Sequence, residues 1–161
     1  MPFTPTFGLR PAQAEDQTTI RALVRQERLD PTSLHWRNFL VAEDAGGRIV
    51  GIGQVKPLPG ARELGSLVVV PEYRQQGVGA ALIQTLWARE KGPLYLLTRD
   101  RRVPYYQKFG FRPIGWRDAP WAIRAKLLPA LAFRLFGVRV VAMRRETEGE
   151  GPRTKTGDEV L

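Results

Sequence analysis

The sequence predicts an α/β (α+β) fold, a central sheet flanked by helices, on three observations. Residues 39–55 read as a β-hairpin with a glycine-rich turn. Residues 62–98 read as a strand, a glycine loop, a long helix and a second strand, a βαβ unit of ordinary size. Before the hairpin, Ile20, Leu23 and Val24 line one face of a helix.

In chain order, residues 1–8 carry two prolines and two threonines and are expected to form an irregular arm before a short strand near Leu9. Asp16 is placed as the N-cap of a helix from Thr18 to Arg28, which Asp30-Pro31 ends. A second short helix is expected around Leu34, Trp36 and Phe39. The hairpin then joins Phe39–Glu43 to Arg48–Val55 through Asp44-Ala45-Gly46-Gly47.

The next strand, Arg62 to Val70, ends in the run Leu67-Val68-Val69-Val70, as suits a strand covered on both faces. A helix follows from Ala80 to Lys91, with Leu82, Ile83, Leu86 and Trp87 on one face and Gly92-Pro93 as its stop. Leu94 to Thr98 is a short buried strand, and Pro104 to Phe109 a short helix ended by Gly110. Phe111–Trp116 and Val138–Arg144 are the late strands. Between them, Trp121 to Phe136 is apolar, basic and expected to be helical with an interruption at Pro129. The organisation expected is one domain over residues 1–145 and a disordered tail over 146–161.

Composition narrows the chemistry. The 161 residues are 43% hydrophobic, enough for one core, and include no cysteine and one histidine, His35. Disulfides, thiolate metal sites and a Cys/His nucleophile are therefore excluded. No apolar run reaches the length that spans a bilayer, no signal peptide is evident, and a cytoplasmic location is expected. The net charge is +9, and the segment after Arg145 is net −3, so residues 1–145 carry +12. Such a surface draws anions: a polyanionic cofactor, an acidic substrate, a membrane surface or nucleic acid.

The run Arg74-Gln75-Gln76-Gly77-Val78-Gly79-Ala80 stands between a strand and a long helix. That position presents free backbone N–H groups and the positive helix end to an anion, and the glycines let phosphate approach the backbone. A Walker loop needs Gly-Lys-Ser/Thr where this chain has Gly79-Ala80-Ala81. A dinucleotide fingerprint wants a small residue where Leu82 stands.

Leu67 to Leu82 resembles the acetyl-CoA signature of the GCN5-related N-acetyltransferase (GNAT) superfamily, and Tyr105-Tyr106-Gln107-Lys108-Phe109-Gly110-Phe111 resembles its second signature. The resemblance extends loosely from Leu9 to Arg144. It implies a GNAT-like sheet, mixed and mostly antiparallel, with a βαβ acetyl-CoA-binding core. It also implies that Arg74, Gln75, Gln76, Gly77, Val78, Gly79 and Ala80 form the pyrophosphate loop. Leu67, Val68 and Val69 would run beside the pantetheine, and a backbone N–H near Val69 would face the oxyanion where this strand splays from its neighbour.

The reaction implied is acetyl transfer from acetyl-CoA to a primary amine, with no metal ion. Tyr106 holds the family's general-acid position, with Tyr105 the second candidate. Glu63 takes the place of a catalytic glutamate, the other reading being a solvated strand-end carboxylate. The family's asparagine seven residues before the tyrosine is Arg99 here. Arg99, Arg101 and Arg102 form either a seat for the cofactor's 3′-phosphate or a solvated basic loop. Acceptor choice is expected to lie in residues 27–38 and 117–137. Nucleic acid is not an expected partner, and a homodimer stays open. The competing functions are a non-catalytic CoA-binding module and a basic binder of nucleic acid or membrane surface.

Overall fold

The computed structural model describes residues 6–147. Its strands are β1 (Phe7–Pro11), β2 (Phe39–Asp44), β3 (Ile49–Leu58), β4 (Ala61–Val69), β5 (Leu94–Arg99), β6 (Arg112–Pro113) and β7 (Val140–Arg145). The helices are α1 (Gln17–Gln26), α2 (Val78–Ala88), α3 (Val103–Gln107) and α4 (Trp121–Ala132). One seven-stranded sheet in the order β1-β2-β3-β4-β5-β7-β6 carries them all. Every neighbouring pair is antiparallel except β4 with β5. The expected fold class and the βαβ unit are therefore present. Most of the arm expected at residues 1–8, and nearly all of the tail expected at 146–161, lie outside the described residues.

Alternation along the strands assigns the two faces of the sheet. Leu40, Ala42, Val55, Leu64, Leu94, Leu96 and Met143 point to one face and pack against Leu82, Ile83 and Leu86 of α2. On the other face, Phe39, Val41, Ile52 and Val68 meet Ile20 and Val24 of α1. Further along that same face, Ala61, Tyr95 and Ala142 meet Ile123 and Leu127 of α4. Helices α1 and α4 thus share a face and leave a seam between them.

Two glycines bring α2 onto the sheet. A Cβ on Gly51 would stand 2.7 Å from Val78 Cγ1, and one on Gly53 would stand 3.1 Å from Leu86 Cδ1. Both residues belong to β3 on the α2 side, so the helix lies closer than side chains there would permit. The first turn of α2, where the glycine loop ends, is held at this depth.

Four local expectations need correction. Asp16 starts α1, yet its carboxylate does not cap the helix: it accepts from Arg10 at 2.7 and 3.1 Å and from the Gln13 N–H at 2.7 Å. A charged donor outcompetes the helix amides. The helix expected around Leu34 to Phe39 shrinks to one 3₁₀ turn, Trp36–Asn38, because Phe39 is already paired in β2. β6 keeps only two residues of the expected six, since Pro113 lacks an N–H and the chain turns away at Gly115. Pro129 sits inside α4 without interrupting it, the face of Ile123 and Leu127 being anchored on the sheet before the proline is reached.

The glycine contacts give a direct expectation. Gly51→Ala forces Val78 and the start of α2 off β3, and overpacking of this kind costs about 1–3 kcal/mol. Urea unfolding should show that loss, whereas Gly47→Ala in the exposed hairpin turn, strained only by its positive φ of 82°, should show less.

Candidate active site

The glycine loop begins where β4 ends. After a 3₁₀ turn at Pro71–Tyr73, Gln75 and Gly77 both take left-handed conformations, with φ of 62° and 84°. Gly77 is the N-cap of α2, and the helix's first backbone bond runs from the Ala81 N–H to the Gly77 carbonyl at 3.0 Å. The N–H groups of Val78, Gly79 and Ala80 therefore have no acceptor within the helix. Alternating handedness followed by a helix start turns successive N–H groups toward one point, a nest for an anion. Arg74 braces the loop from behind: its Nε donates to the Val69 carbonyl at 3.0 Å, and its guanidinium pairs with Glu27 after α1 at 3.2 Å.

Beside the loop the sheet comes apart. β4 and β5 share a single rung, Glu63 opposite Tyr95. Across β4 on its other side, Gln54 faces Gly65 and Ile52 faces Val68, so Ser66 and Leu67 together stand opposite Gly53. This is a β-bulge, with Ser66 at φ 51°. A bulge bends its strand, and here β4 diverges from β5. Because the Val70 N–H bonds to Val50 of β3, the N–H groups of Val69 and Leu67 turn to the opposite, unpaired edge.

The parted strands enclose a cleft of about 370 Å³. Leu64–Leu67 and Leu96–Arg99 form its two walls, Glu27–Asp30 close one side, and Arg101, Arg102 and Tyr106 stand at the far side. Tyr106 is 8% exposed and Tyr105 38%. Burial raises the Tyr106 hydroxyl above the ordinary phenol range, with the charge of Arg102 opposing, so it keeps its proton at neutral pH. Tyr105 does not line the cleft. Its hydroxyl lies instead against the glycine loop, 2.7 Å from where a Cβ on Gly79 would stand.

Glu63 lies at the root of the divergence, buried on the face shared by α1 and α4, and is not among the residues lining the cleft. Its carboxylate accepts from Lys126 of α4 at 2.5 Å. Lys126 also meets Asp30 at 3.0 Å, and Asp30 meets Lys56 of β3 at 2.9 Å. The seam between the two helices is thus a closed set of two carboxylates and two ammonium groups, of which only Asp30 belongs to the cleft wall. Burial works against the charge of Lys126, but its contacts to Glu63 and Asp30 outweigh it and raise the pKa. For Asp30, burial is outweighed by hydrogen bonds from Thr32, Lys56 and Lys126, which hold it well below the usual carboxylate range.

The sequence points to the loop, Leu67–Val69, Tyr106 and Glu63; of these Leu67 and Tyr106 line the cleft, the loop follows the end of β4, and Val68, Val69 and Glu63 lie outside the cleft lining. It did not point to Lys56 or Ser66, and it held Asp30 and Lys126 only within the expected acceptor segments 27–38 and 117–137. One signal for them was present: Gln54 and Lys56 recur at a spacing of two in an otherwise apolar strand, which marks a polar buried face. Gln54 donates to Ser66 Oγ at 2.9 Å, next to the bulge. Among the described residues no group of three or more His, Asp or Glu is placed to hold a metal ion, and no helix is long and apolar enough to cross a membrane.

Loss of Lys126 tests the seam. Lys126→Ala strands the buried Glu63 carboxylate and should lower stability by about 3 kcal/mol. Asp30, with a lowered pKa, contributes fully above about pH 3.9 and loses its contribution as pH falls through the depressed value. Lys126, with a raised pKa, contributes fully below about pH 10.4 and loses it above. The stability gap between wild type and Lys126→Ala should then be flat from about pH 5 to 9 and shrink on further acidification.

Comparison with known proteins agrees with this geometry. Residues 35–113 match the model of the acetyltransferase (GNAT) domain, from the turn before β2 through β6. Over 77 residues the chain is 39% identical to glucosamine 6-phosphate N-acetyltransferase of Trypanosoma brucei brucei, covering 41% of this chain and 52% of that protein. The chain thus spans about half the length of this curated relative. The fold is shared with Rv2747 from Mycobacterium tuberculosis, solved in complex with CoA and NLQ, at TM-score 0.68 and 20% identity over 86% of this chain and 98% of that one. It is shared too with N-acetylglutamate synthase from Neisseria gonorrhoeae, complexed with coenzyme A and N-acetyl-glutamate, at TM-score 0.67 and 19% identity over 89% of this chain and 36% of that one. The segment that matches the acetyltransferase (GNAT) domain carries the parted β4 and β5 and the glycine loop at the head of α2, so over residues 35–113 this chain is similar to GNAT acetyltransferases.

Proposed function

We propose that residues 1–145 act as an N-acetyltransferase that moves the acetyl group of acetyl-CoA to a primary amine. The observation that carries the reading is the joining of two features: an anion nest at Gln75–Ala80 and an unpaired β4 edge that leads from it into a cleft lined by Tyr106. The pyrophosphate fits the nest, the pantetheine amides fit the backbone groups of Leu67, and the Val69 N–H remains for the oxyanion, the Val69 carbonyl being held by Arg74. Glucosamine 6-phosphate N-acetyltransferase, the curated relative, points to the same class of reaction by its name.

In this reading the amine nitrogen attacks the thioester carbonyl, and the N–C bond forms as the C–S bond breaks. The Val69 N–H receives the developing oxyanion. Tyr106 gives its proton to the departing thiolate, for which its raised pKa keeps it protonated. Glu63 takes the proton of the acceptor's ammonium. Lys126 occupies that carboxylate in the resting protein, so the acceptor's cation replaces the lysine's as it enters past Asp30. Arg99, Arg101 and Arg102 stand along the cleft free of the ion pairs found among the described residues and serve anionic groups of the bound molecules.

Thiol release from acetyl-CoA against a panel of amino acids, amino sugars, polyamines and peptides tests the reading, and release with no member of the panel would leave a CoA-binding module. Two substitutions test the roles. Tyr106→Phe should lower kcat by roughly 10²- to 10⁴-fold with little change in melting temperature, and Tyr105→Phe should be mild. Equal activity of both variants and wild type would remove tyrosine acid catalysis. Glu63→Gln should lower kcat at pH 7, and the deficit should narrow as pH rises toward about 10, where the free amine forms unaided. A deficit constant with pH would make Glu63 structural.

A further inference from the structure

The segment between β6 and β7 carries an anomaly that acetyl transfer does not use. Apart from Tyr105, every large apolar side chain exposed among the described residues lies within residues 116–136: Trp116, Trp121, Leu128, Leu131, Phe133, Leu135 and Phe136. Helix α4 already buries Ile123 and Leu127 on the sheet. Its opposite side, and the 3₁₀ turn Phe133–Phe136 that continues it, are apolar as well. A helix apolar on both sides requires a second cover.

Charge and shape define that cover. Residues 116–139 hold Arg117, Arg124, Lys126, Arg134 and Arg139 against a single acid, Asp118. Among the described residues no carboxylate pairs with Arg134 or Arg139. A second copy of this face would bring like charges together across a two-fold axis, which opposes self-association. At the tip the apolar groups project: Leu135 is 89% exposed and Phe136 81%, where Gly137 turns the chain back with φ 76°. An exposed apolar tip flanked by Arg134 and Arg139 suits a fluid medium that closes around it and presents negative charge at its rim.

We propose that α4 and the Phe133–Phe136 turn form a docking surface for an anionic lipid bilayer. Leu135 and Phe136 insert into the interface, while Arg134 and Arg139 meet the headgroup phosphates. Among the described residues no helix is long and apolar enough to cross a bilayer, so the proposed contact is peripheral. Beside the tip, Leu127, Leu131, Arg134, Arg139 and Val140 line a small groove, and Val140 also lines the cleft between β4 and β5. Docking therefore brings one wall of the cleft close to the membrane surface. The segment lies beyond residues 35–113, which match the GNAT domain.

Co-sedimentation with vesicles tests the proposal. The full chain should pellet with phosphatidylcholine vesicles containing about 30% phosphatidylglycerol, stay in solution with phosphatidylcholine alone, and release as salt is raised. The double variant Leu135→Ser/Phe136→Ser should weaken binding to the anionic vesicles by about tenfold or more. Both side chains are exposed, so its melting temperature should match wild type or exceed it. Arg134→Glu/Arg139→Glu should abolish the preference for anionic vesicles. Failure of the wild-type chain to pellet with either vesicle would overturn the proposal. So would equal binding by the double variant, or light scattering that shows a wild-type dimer dissolved by the same two serines, which would assign the surface to a second copy.

Discussion

The structure depends on one rung. β4 and β5 are paired only at Glu63 and Tyr95, and beyond that point the two strands part. An unpaired strand edge within a sheet carries a cost, because each buried N–H or carbonyl left without a partner forfeits about 1–3 kcal/mol. The molecule keeps the edge accessible by making it the wall of a cleft. The cause is local: the bulge at Ser66 and Leu67 sets two residues of β4 against one of β3 and turns the strand away from β5. Everything read as function lies along this opening, from the glycine loop at its head to the Glu63 seam at its root.

Two constraints hold the opening in shape. Helix α2 lies deep on β3 because Gly51 and Gly53 have no side chains to keep it off, which fixes the first-turn N–H groups at the end of β4. On the opposite face the seam of Asp30, Lys56, Glu63 and Lys126 ties α1's following loop, two strands and α4 together across the root of the cleft. Its charges balance, so the burial of each is met by a partner. Through Lys126 the seam ties α4, which covers the sheet, to Asp30 on the cleft wall.

Much of this was legible in the sequence because it is local. Glycines at 77 and 79 after a valine-rich strand and before an apolar-faced helix specify the loop without reference to the rest of the chain. Leu94–Thr98 and Val138–Arg144 likewise read as strands, and the structure differs there by one or two residues. What the residues alone did not show is long-range. Lys126 is 63 positions from Glu63, and nothing in the amphipathic reading of 121–136 distinguished a lysine bound for a buried carboxylate from a solvated one. The parting of β4 from β5 came from the family resemblance, not from periodicity, since a bulge adds one residue and leaves the apolar run Leu67–Val70 intact. Pro129 was misread because tertiary anchoring of α4 outweighs one lost backbone bond.

Backbone amide exchange with and without acetyl-CoA tests the central idea most directly, that backbone groups along the parted strand and the helix start form the cofactor seat. On addition of acetyl-CoA the amides of Leu67, Val69, Val78, Gly79 and Ala80 should slow markedly, while those in the β1 and β2 pairing stay unchanged. Protection confined to other parts of the chain, or none at all, would contradict the account.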